Sequence, residues 1–352
     1  MIPILFPANA TSFITNGLGR LADAISCEVR EVLNGAYTLT MTYPFDGIHA
    51  SDIAHGRIIY AKANQQDGPQ AFRIAQIQET LEDRKLKISA NHISYDLSGY
   101  PVNSFRVTGI EGALEGLKNN CVFLNIPFTF TTDMTSGALV FQVKQARSLR
   151  NCLGGEEGSI LDIFGGELKF DNFNVSVLQS RGSNKGVSIR YAKNMESFMN
   201  VRSIESAYSG VLSYYASGDT VVNGAVVYAS GSSNFPTPKI YINDATSAFD
   251  STPTVAQLNS ESTRYINANN IGRAYIDTVT VSSVPLWQTE EYKYLKEFET
   301  VDLGDTVNVI YKSFNTSIKA VEHTFDSLNE RYTKMVLGQK KATLYKTIRE
   351  IV

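Results

Sequence analysis

Residues 24–44 read AISCEVREVLNGAYTLTMTYP, and this stretch indicates the fold class. In its second half, threonines alternate with apolar residues, which are Tyr37, Leu39, Met41 and Tyr43. A period of two is typical of a β-strand with one buried face. Asn34-Gly35 lies between the two runs and predicts a type I′ turn, in which both central residues have positive φ. The stretch therefore predicts a β-hairpin.

More strands are predicted around polar turns in the first hundred residues. Residues 57–64 and 72–80 flank the turn sequence Gln65-Gln-Asp-Gly-Pro69, and residues 85–90 follow a turn at 82–84. About four or five antiparallel strands in so short a segment form a small barrel or sandwich. We therefore expect residues 1–105 to form an N-terminal β-barrel-like domain.

The hydrophobic period changes after this segment. Thr108 and Glu111 match a capping box, and the apolar residues that follow fall on one helical face. Those residues are Ile110, Ala113, Leu114 and Leu117. Strands are predicted at 123–132, 138–143 and 187–192, helices after Ser148 and at 159–164, and a hairpin at 167–178 around Asp171-Asn172. Residues 106–200 thus read as an α+β domain.

Charge is sparse between residues 201 and 252. The charged residues there are Arg202, Glu205, Asp219, Lys239, Asp244 and Asp250. Two explanations are open for so few charges on β structure. Another subunit covers one face of the sheet, or the residues form the core of their own domain. Asn223-Gly224 predicts a hairpin between 220–222 and 225–228, Thr252-Pro253 a helix start, and 275–281 a strand.

The last segments complete a second β unit. Residues 301–310, 318–325 and 332–337 read as strands, the first of them placed around Gly304-Asp305. Residues 340–352 predict a short helix, whose Leu344, Ile348 and Ile351 either dock on a neighbouring subunit or pack on their own barrel. We expect 201–290 to be a β-rich α+β domain that ends near Trp287, an anchor in a domain seam. Residues 291–352 then supply the strands of a second barrel and a C-terminal helix.

Composition and motifs argue against several function classes. With 32 Lys+Arg, 35 Asp+Glu and a net charge of −3, the chain lacks the basic surplus of a dedicated nucleic-acid binder. Cys27, Cys121 and Cys152 lie too far apart for a zinc cage or a disulfide framework and read as buried thiols. The sequence contains no GxSxG, P-loop, GxGxxG or HExxH motif. The glycine-rich stretch 154–158 carries two glutamates, which would repel a phosphate, and it reads as a turn between helices.

The histidines offer little chemistry. His49 and His55, with Asp46 and Asp52, form a conceivable metal set, but the spacing is wide and a solvated loop is the alternative. His92 reads as a hydrogen-bonded sheet residue rather than a catalytic base. A carboxylate pair for glycoside hydrolysis stays open, because its separation is a three-dimensional property. We predict no catalytic, cofactor-binding or metal-binding residue, no cofactor and no enzyme activity.

The sequence shows no targeting signal, so we expect synthesis in the cytoplasm. The N-terminus MIPILFP lacks a basic segment and holds two prolines, so no signal peptide is predicted. Apolar runs are far shorter than the roughly 20 residues of a membrane span.

Several stretches resemble the phage minor structural protein family, also known as the prophage endopeptidase tail family. They are the hairpin 24–44, FGGELKFDNF at 164–173, Arg181-Gly182, GVSIRYAKN at 186–194, VDLGDTV at 301–307 and NERYTKMVLG at 329–338. The resemblance implies an α+β, β-rich multidomain fold like that of a phage baseplate hub. In that fold, two small antiparallel β-barrels are combined with α+β insert domains.

The resemblance also implies a function. Such hubs form homotrimers at the tail tip of long-tailed phages of Gram-positive bacteria, with a pseudo-sixfold ring that mates with the tail tube and the distal tail protein. The trimer closes the tail channel and opens for ejection of DNA and the tape-measure protein, touching the host cell wall only transiently. The resemblance thus implies assembly into the tail tip of the virion. From the charge balance and the short apolar runs we also expect no membrane insertion and no specific binding of nucleic acid. The chain extends only fourteen residues beyond Gly338, so we expect no appended cell-wall-degrading domain. A cell-wall hydrolase and a carbohydrate-binding receptor module are the alternatives.

Overall fold

The computed structural model describes residues 1–80, 82–135, 139–283, 286, 290–292 and 300–338. The strands that precede the first α-helix are β1 (Ile4–Phe6), β2 (Gly19–Arg20), β3 (Ser26–Val32), β4 (Tyr37–Pro44), β5 (Ile58–Ala61), β6 (Gln70–Thr80), β7 (Lys85–His92), β8 (Pro101–Val102) and β9 (Phe105–Thr108). The strands of the middle are β10 (Thr129–Thr132), β11 (Val140–Val143), β12 (Arg147–Ser148), β13 (Glu167–Asp171), β14 (Asn174–Leu178), β15 (Ser188–Arg190) and β16 (Met195–Ser203).

The remaining strands are β17 (Gly210–Ser217), β18 (Thr220–Asn223), β19 (Val227–Tyr228), β20 (Ile240–Asp244), β21 (Ile276–Ser283), β22 (Thr306–Tyr311), β23 (Phe314–Asp326) and β24 (Arg331–Gly338). The α-helices are α1 (Ile110–Asn119), α2 (Leu149–Leu153), α3 (Ile160–Ile163) and α4 (Val255–Ala268). Short 3-10 helices cover Ala50–Asp52, Ile93–Gly99, Ser232–Asn234 and Thr246–Ala248. The predictions for Trp287 and for a helix at 340–352 lie outside the described residues.

Thirteen strands join in one sheet that links the two ends of the chain. Its main path runs β16-β21-β24-β23-β3-β4-β7-β6-β5-β1-β2, while β22 pairs with β23 and β15 pairs with β22. The link is the antiparallel pairing of β23 with β3, from Glu322 opposite Val32 to Asp326 opposite Glu28. This pairing is possible because β23 is 13 residues long and extends beyond its partner β22.

The β-rich fold with few helices is confirmed, but the two barrels do not appear as closed barrels. Among the described strands the hydrogen-bonded order is an open path, and the predicted first and second barrels belong to one sheet. Two apolar cores nevertheless lie along it. One combines Leu39 and Ile88 of the N-terminal strands with Leu117 of α1 and their neighbours. The other collects side chains from the six strands β15, β22, β23, β24, β21 and β16, and Val309 lies within it.

The N-terminal hairpin forms as predicted, but its turn differs. Of the two turn residues only Asn34 has a positive φ, 56°, and the Gly35 N–H donates to the Val32 carbonyl at 2.9 Å. The chain therefore reverses at Leu33-Asn34, one residue before the predicted type I′ turn. The reason is tertiary: the buried Asn34 amide donates to the Gly166 carbonyl at 3.2 Å and accepts from the Leu168 N–H at 2.7 Å.

The first residues of the helices test the predicted N-caps. Ser148 caps α2 by accepting the Asn151 N–H at 3.2 Å, as predicted. The capping box at Thr108 is wrong, because Thr108 ends β9 opposite Val140 and the N-cap of α1 is Gly109. The helix predicted at Thr252-Pro253 starts later, with Thr254 as N-cap of α4 in a capping box with Gln257.

Most other predicted strands are present with shorter or longer bounds. The strand predicted at 123–132 is confined to β10, and that at 187–192 to β15. The hairpin at 167–178 is confirmed as β13 and β14, which pair around Asn172 at a φ of 51°. Other small sheets place β10 beside β14, β11 beside β9 and β12 beside β8.

The charge-poor segment folds into a separate four-stranded sheet. Here the Asn223-Gly224 hairpin prediction is wrong, because β18 and β19 do not pair with each other and both pair with β17. The reversal instead lies at Gly218, with a φ of 57°, between β17 and β18. β20 pairs in parallel with β17. Helix α4 packs on one face of the sheet, where Leu258 and Ile266 join the buried Tyr215 and Val211.

Candidate functional site

A group of buried charged side chains lies where the two ends of the chain meet. We call it the junction cluster; its members are Glu31, Arg181, Asp302 and His323, at most 9% exposed. The guanidinium Nη1 of Arg181 donates to Glu31 Oε1 at 2.7 Å and to the Leu168 carbonyl at 3.3 Å. Its Nη2 lies 4.0 Å from Asp302 Oδ1. A side chain from the middle of the chain thus joins carboxylates from both ends.

Two glycines let two backbone segments pass close to each other beside this cluster. Gly182 has a φ of 71°, and a Cβ there would lie 2.3 Å from the Asp305 nitrogen. Gly304 has a φ of 95°, and a Cβ there would lie 2.4 Å from the Arg181 carbonyl oxygen. Only glycine fits such contacts at positive φ. The Arg181-Gly182 and VDLGDTV stretches, which carry part of the family resemblance, are therefore in direct contact.

Further ion pairs surround the crossing. The fully buried Asp305 accepts from the Ser183 N–H at 2.7 Å and from Lys185 Nζ at 2.9 Å. Glu167 accepts from Lys319 Nζ at 2.7 Å and from the Arg181 N–H at 2.6 Å. The strands and loops around the junction are consequently cross-linked by charge-assisted bonds, which are stronger than neutral ones.

Burial and ion pairing oppose each other in the electrostatics of the junction cluster. It raises the pKa of Asp302 to about 6, although Arg181 opposes the shift. It also lowers the pKa of His323, against the influence of Glu31, so the imidazole is neutral. For Arg181, burial favours the neutral form, but the Glu31 and Asp302 carboxylates outweigh it and raise the pKa above its usual value. Because the cluster is closed to solvent, its charged groups contact one another rather than water.

Sequence reasoning missed the junction cluster, although one signal was present. Cys27, Val29 and Leu33 occupy the buried face of the hairpin arm, and Glu31 falls on the same alternation. An acid at a core position needs a buried partner. That signal predicts a cation but does not identify Arg181, which is 150 residues away.

The histidine candidates do not meet at a metal site. His49 Nδ1 lies 3.1 Å from Asp52 Oδ2, and Arg57 also approaches that carboxylate at 3.4 Å. Asp46 and His55 are exposed. Within the described ranges, no group of three His, Cys, Asp or Glu side chains is arranged to hold a metal ion.

His92 is a buried structural residue. Its Nε2 lies 3.2 Å from Gln70 Oε1, and its Nδ1 accepts the Ser94 N–H at 3.2 Å. The ring stacks on Tyr37 with centroids 4.3 Å apart, and burial lowers its pKa to about 3. The three cysteines are buried and unpaired, and burial raises the pKa of Cys27 to about 12. These groups have no access to a substrate.

The glycine-rich stretch lies between α2 and α3, as predicted. Arg147 donates to the carbonyls of Glu157 and Gly158 at 3.1 and 2.8 Å, which fixes the turn.

A cavity of about 1080 Å³ lies between the segment that follows α4 and strands β22 and β23. Its carboxylates are Glu167 and Asp277. Glu167 is bound by Lys319, and Arg202 donates to Asp277 at 2.9 and 3.0 Å and lowers its pKa. The lowered pKa of Asp277 disfavours it as the proton donor of a glycosidase, and Lys319 already donates to both carboxylate oxygens of Glu167. Each helix in the described part of the chain is too short or too polar to cross a membrane.

Solved structures share this fold along its whole length. The prophage tail protein gp18 of Listeria monocytogenes superimposes with a TM-score of 0.64 at 12% identity, over 100% of this chain and 98% of that one. The 43 kDa tail protein of prophage MuSo2 from Shewanella oneidensis gives 0.62 at 12% identity, over 97% and 99%. A tail protein of Neisseria meningitidis gives 0.58 at 10% identity, over 98% of each chain.

No protein-family model and no curated protein matches the chain. At identities of 10 to 12%, the TM-scores of 0.58 to 0.64 show a common fold. The chain therefore has the fold of phage tail proteins, and the predicted resemblance to them is confirmed at that level.

The glycine crossing gives a direct prediction. Gly182→Ala is expected to lower the free energy of unfolding by about 3 kcal/mol, since positive-φ strain and a backbone clash add. Gly186 is the matched control, because it has a φ of 75° and a Cβ there would meet no atom within 4 Å. Gly186→Ala should cost only about 1 kcal/mol, the strain alone. Urea denaturation measures both, and equal losses would contradict the close crossing.

The raised pKa of Asp302 predicts a pH dependence. Its folded pKa of about 6 exceeds the ordinary value of 3.8, so its stabilising contribution is full below pH 3.8 and is lost as pH rises through 6. Asp302→Asn cannot ionise. The unfolding free energy of the variant relative to the wild type should therefore rise by about 2 to 3 kcal/mol between pH 4 and pH 7.5. A difference that is constant with pH would show that Asp302 titrates normally.

Proposed function

We propose that the chain is a structural hub protein at the tip of a long-tailed phage or prophage tail, where a homotrimer closes the distal end of the tail channel. The observation that carries this proposal is the fold match over 97 to 100% of the chain with three tail proteins. An end-to-end match supports a role for the whole chain rather than for one shared module.

The junction supports a mechanical role. A hub must transmit force between the tail tube and the host surface without unfolding. The thirteen-stranded sheet suits this role, because it includes both the first strand, β1, and the last described strand, β24. Ion pairs closed to water are little screened by salt, so the junction stays paired at different ionic strengths. The charge of −3 also suits a channel wall that lets DNA pass without gripping it.

The partners in this proposal are the tail tube, the distal tail protein and the tape-measure protein. Two strand groups, β1–β7 and the six strands around the second core, would take the two ring positions of each subunit. The proposal includes domain boundaries near residues 105, 200 and 290. We propose a Gram-positive host on the sequence resemblance alone. The matched tail proteins come from three different bacterial genera, Listeria, Shewanella and Neisseria, so they do not select one kind of host.

We propose no enzymatic role. The buried thiols, the neutral His92 and the paired carboxylates of the cavity offer no group poised for hydrolysis. The hub acts through assembly, contacts the host cell wall transiently, and opens to release DNA without inserting into a membrane itself.

Electron microscopy of tail particles tests the proposal. Gold-labelled antibody to this chain should mark one end of each tail, because a hub is present only at the tip. Native mass spectrometry of isolated tips should contain a species of three times the 38.8 kDa chain mass. Antibody to the tail tube protein is the control and should label the whole shaft. Label spread along the tail, or particles that lack the chain, would contradict a tip hub.

A further inference from the structure

Residues 204–275 form a unit with its own core, which we call the arm. It contains β17 to β20 and α4, and its buried apolar residues fall into two small clusters around Val211 and Tyr215 that are separate from the two main cores. In the described part of the chain, the extensive contacts of these strands and of α4 are all with one another. Relative motion is expected for two units that no large apolar interface joins, so this architecture permits the arm to move as one body.

A two-stranded ribbon connects the arm to the rest of the chain. β16 leads into the arm and β21 leads out of it, and their pairing ends with Ser203 opposite Ile276. β24 pairs with β21 only from Val279 onward, so the three residue pairs nearest the arm lie outside that pairing. A ribbon of two strands twists more strongly than a wide sheet and is only marginally stable by itself. The end of the ribbon is therefore the place where the arm can pivot.

Open space borders the arm in two places. The cavity of about 1080 Å³ lies between the segment after α4 and strands β22 and β23. A second cleft, of about 430 Å³, lies between the arm and the helical unit, which we define as α1 to α3 with β9 and β11. Phe249 and Glu261 line this cleft from the arm, and Leu139 and Asp162 line it from the other side. The two clefts leave room for the arm to rotate on the ribbon.

Carboxylates of the arm and of the helical unit lie near each other at the second cleft. Burial raises the pKa of Asp162 in α3, and Glu261 and Asp244 of the arm add to the shift, although a backbone hydrogen bond and Arg264 oppose it. Burial also raises the pKa of Glu157, and Asp244 and Asp162 add to that shift. Like charges on the two units thus repel each other, and an attraction elsewhere must hold the units together.

An ion pair between exposed side chains supplies such an attraction. The Arg106 guanidinium of β9 donates to the Asp250 carboxylate of the arm. These side chains are 52 and 46% exposed, so water and salt weaken the pair and it breaks easily. At the same border, a Cβ at Gly158 would lie 3.5 Å from the Ser247 Cβ, which is an ordinary packing distance. The ion pair therefore holds the arm where the two units touch.

We propose that the arm is hinged on the β16–β21 ribbon and is latched to the helical unit by the Arg106–Asp250 pair. The latch holds the arm closed against the repulsion between the carboxylates. Once the pair breaks, the arm rotates away from the helical unit as one body. The inference concerns the chain by itself and goes beyond the proposed hub role, on which it does not depend.

Distances between two spin labels measure this motion in the purified full chain. The native cysteines are buried, so introduced cysteines carry the labels. Glu115→Cys on α1 and Asn267→Cys on α4 are both at exposed positions and report the arm against the helical unit. In this labelled protein, Arg106→Glu should raise the fraction of molecules whose distance differs from that of the latched arm by about fivefold, because an attraction becomes a repulsion. Adding Asp250→Arg should restore the original distances, since the pair forms again with its charges exchanged.

A label pair within the arm is the matched control. Thr220→Cys and Asn267→Cys should keep one distance in every variant, because both positions move together. A single unchanged distance between positions 115 and 267 in the parent and in both variants would overturn the hinge. A change that Asp250→Arg fails to restore would overturn the latch, and a change within the control pair would overturn motion as one body. Gold labelling of tails tests the hub proposal separately, so either proposal can fail alone.

Discussion

The buried pair between Arg181 and Glu31 is the interaction on which the arrangement of the chain depends. It connects the loop after β14 to β3, and β3 in turn pairs with β23. Removing one partner of such a pair leaves an uncompensated buried charge, which is far more destabilising than the loss of a surface pair. The glycine crossing at Gly182 and Gly304 places the same loop against the segment that carries Asp302, the second carboxylate near Arg181. The two apolar cores thus belong to one connected sheet rather than to two independent barrels.

Local patterns in the sequence predict the elements but not their long-range partners. The alternation from Tyr37 to Tyr43 predicts β4, and Ser148 predicts the start of α2, because those signals act within a few residues. Asn34-Gly35 predicts the wrong turn, since the Asn34 side chain is used by β13 more than 130 residues away. Asn223-Gly224 fails for a related reason: β17 offers a pairing edge to both flanking strands. The sequence does not predict the junction cluster, since it shows only that common catalytic motifs are missing. Glu31 at a core position of β3 is the one local sign of the cluster.

The molecule combines a charged, closed junction with an apolar, open sheet face. The first resists separation, because its partners are desolvated and bonded to one another. The second is exposed at Val221, Tyr228 and Ile242 and has one charged residue in its strands, Asp244. The proposed hub role depends on the first feature, because the junction keeps the two ends of the chain joined while the channel opens.

A double-mutant cycle on Arg181 and Glu31 tests the central claim most directly. Unfolding free energies of Arg181→Met, Glu31→Gln and the double variant should give a coupling of about 3 kcal/mol, with each single variant destabilised by about 3 to 5 kcal/mol. The neighbouring cycle on Arg30 and Glu322, whose arginine is 43% exposed, should couple by less than about 1 kcal/mol. Equal, small couplings in both cycles would contradict a sheet held together at the junction.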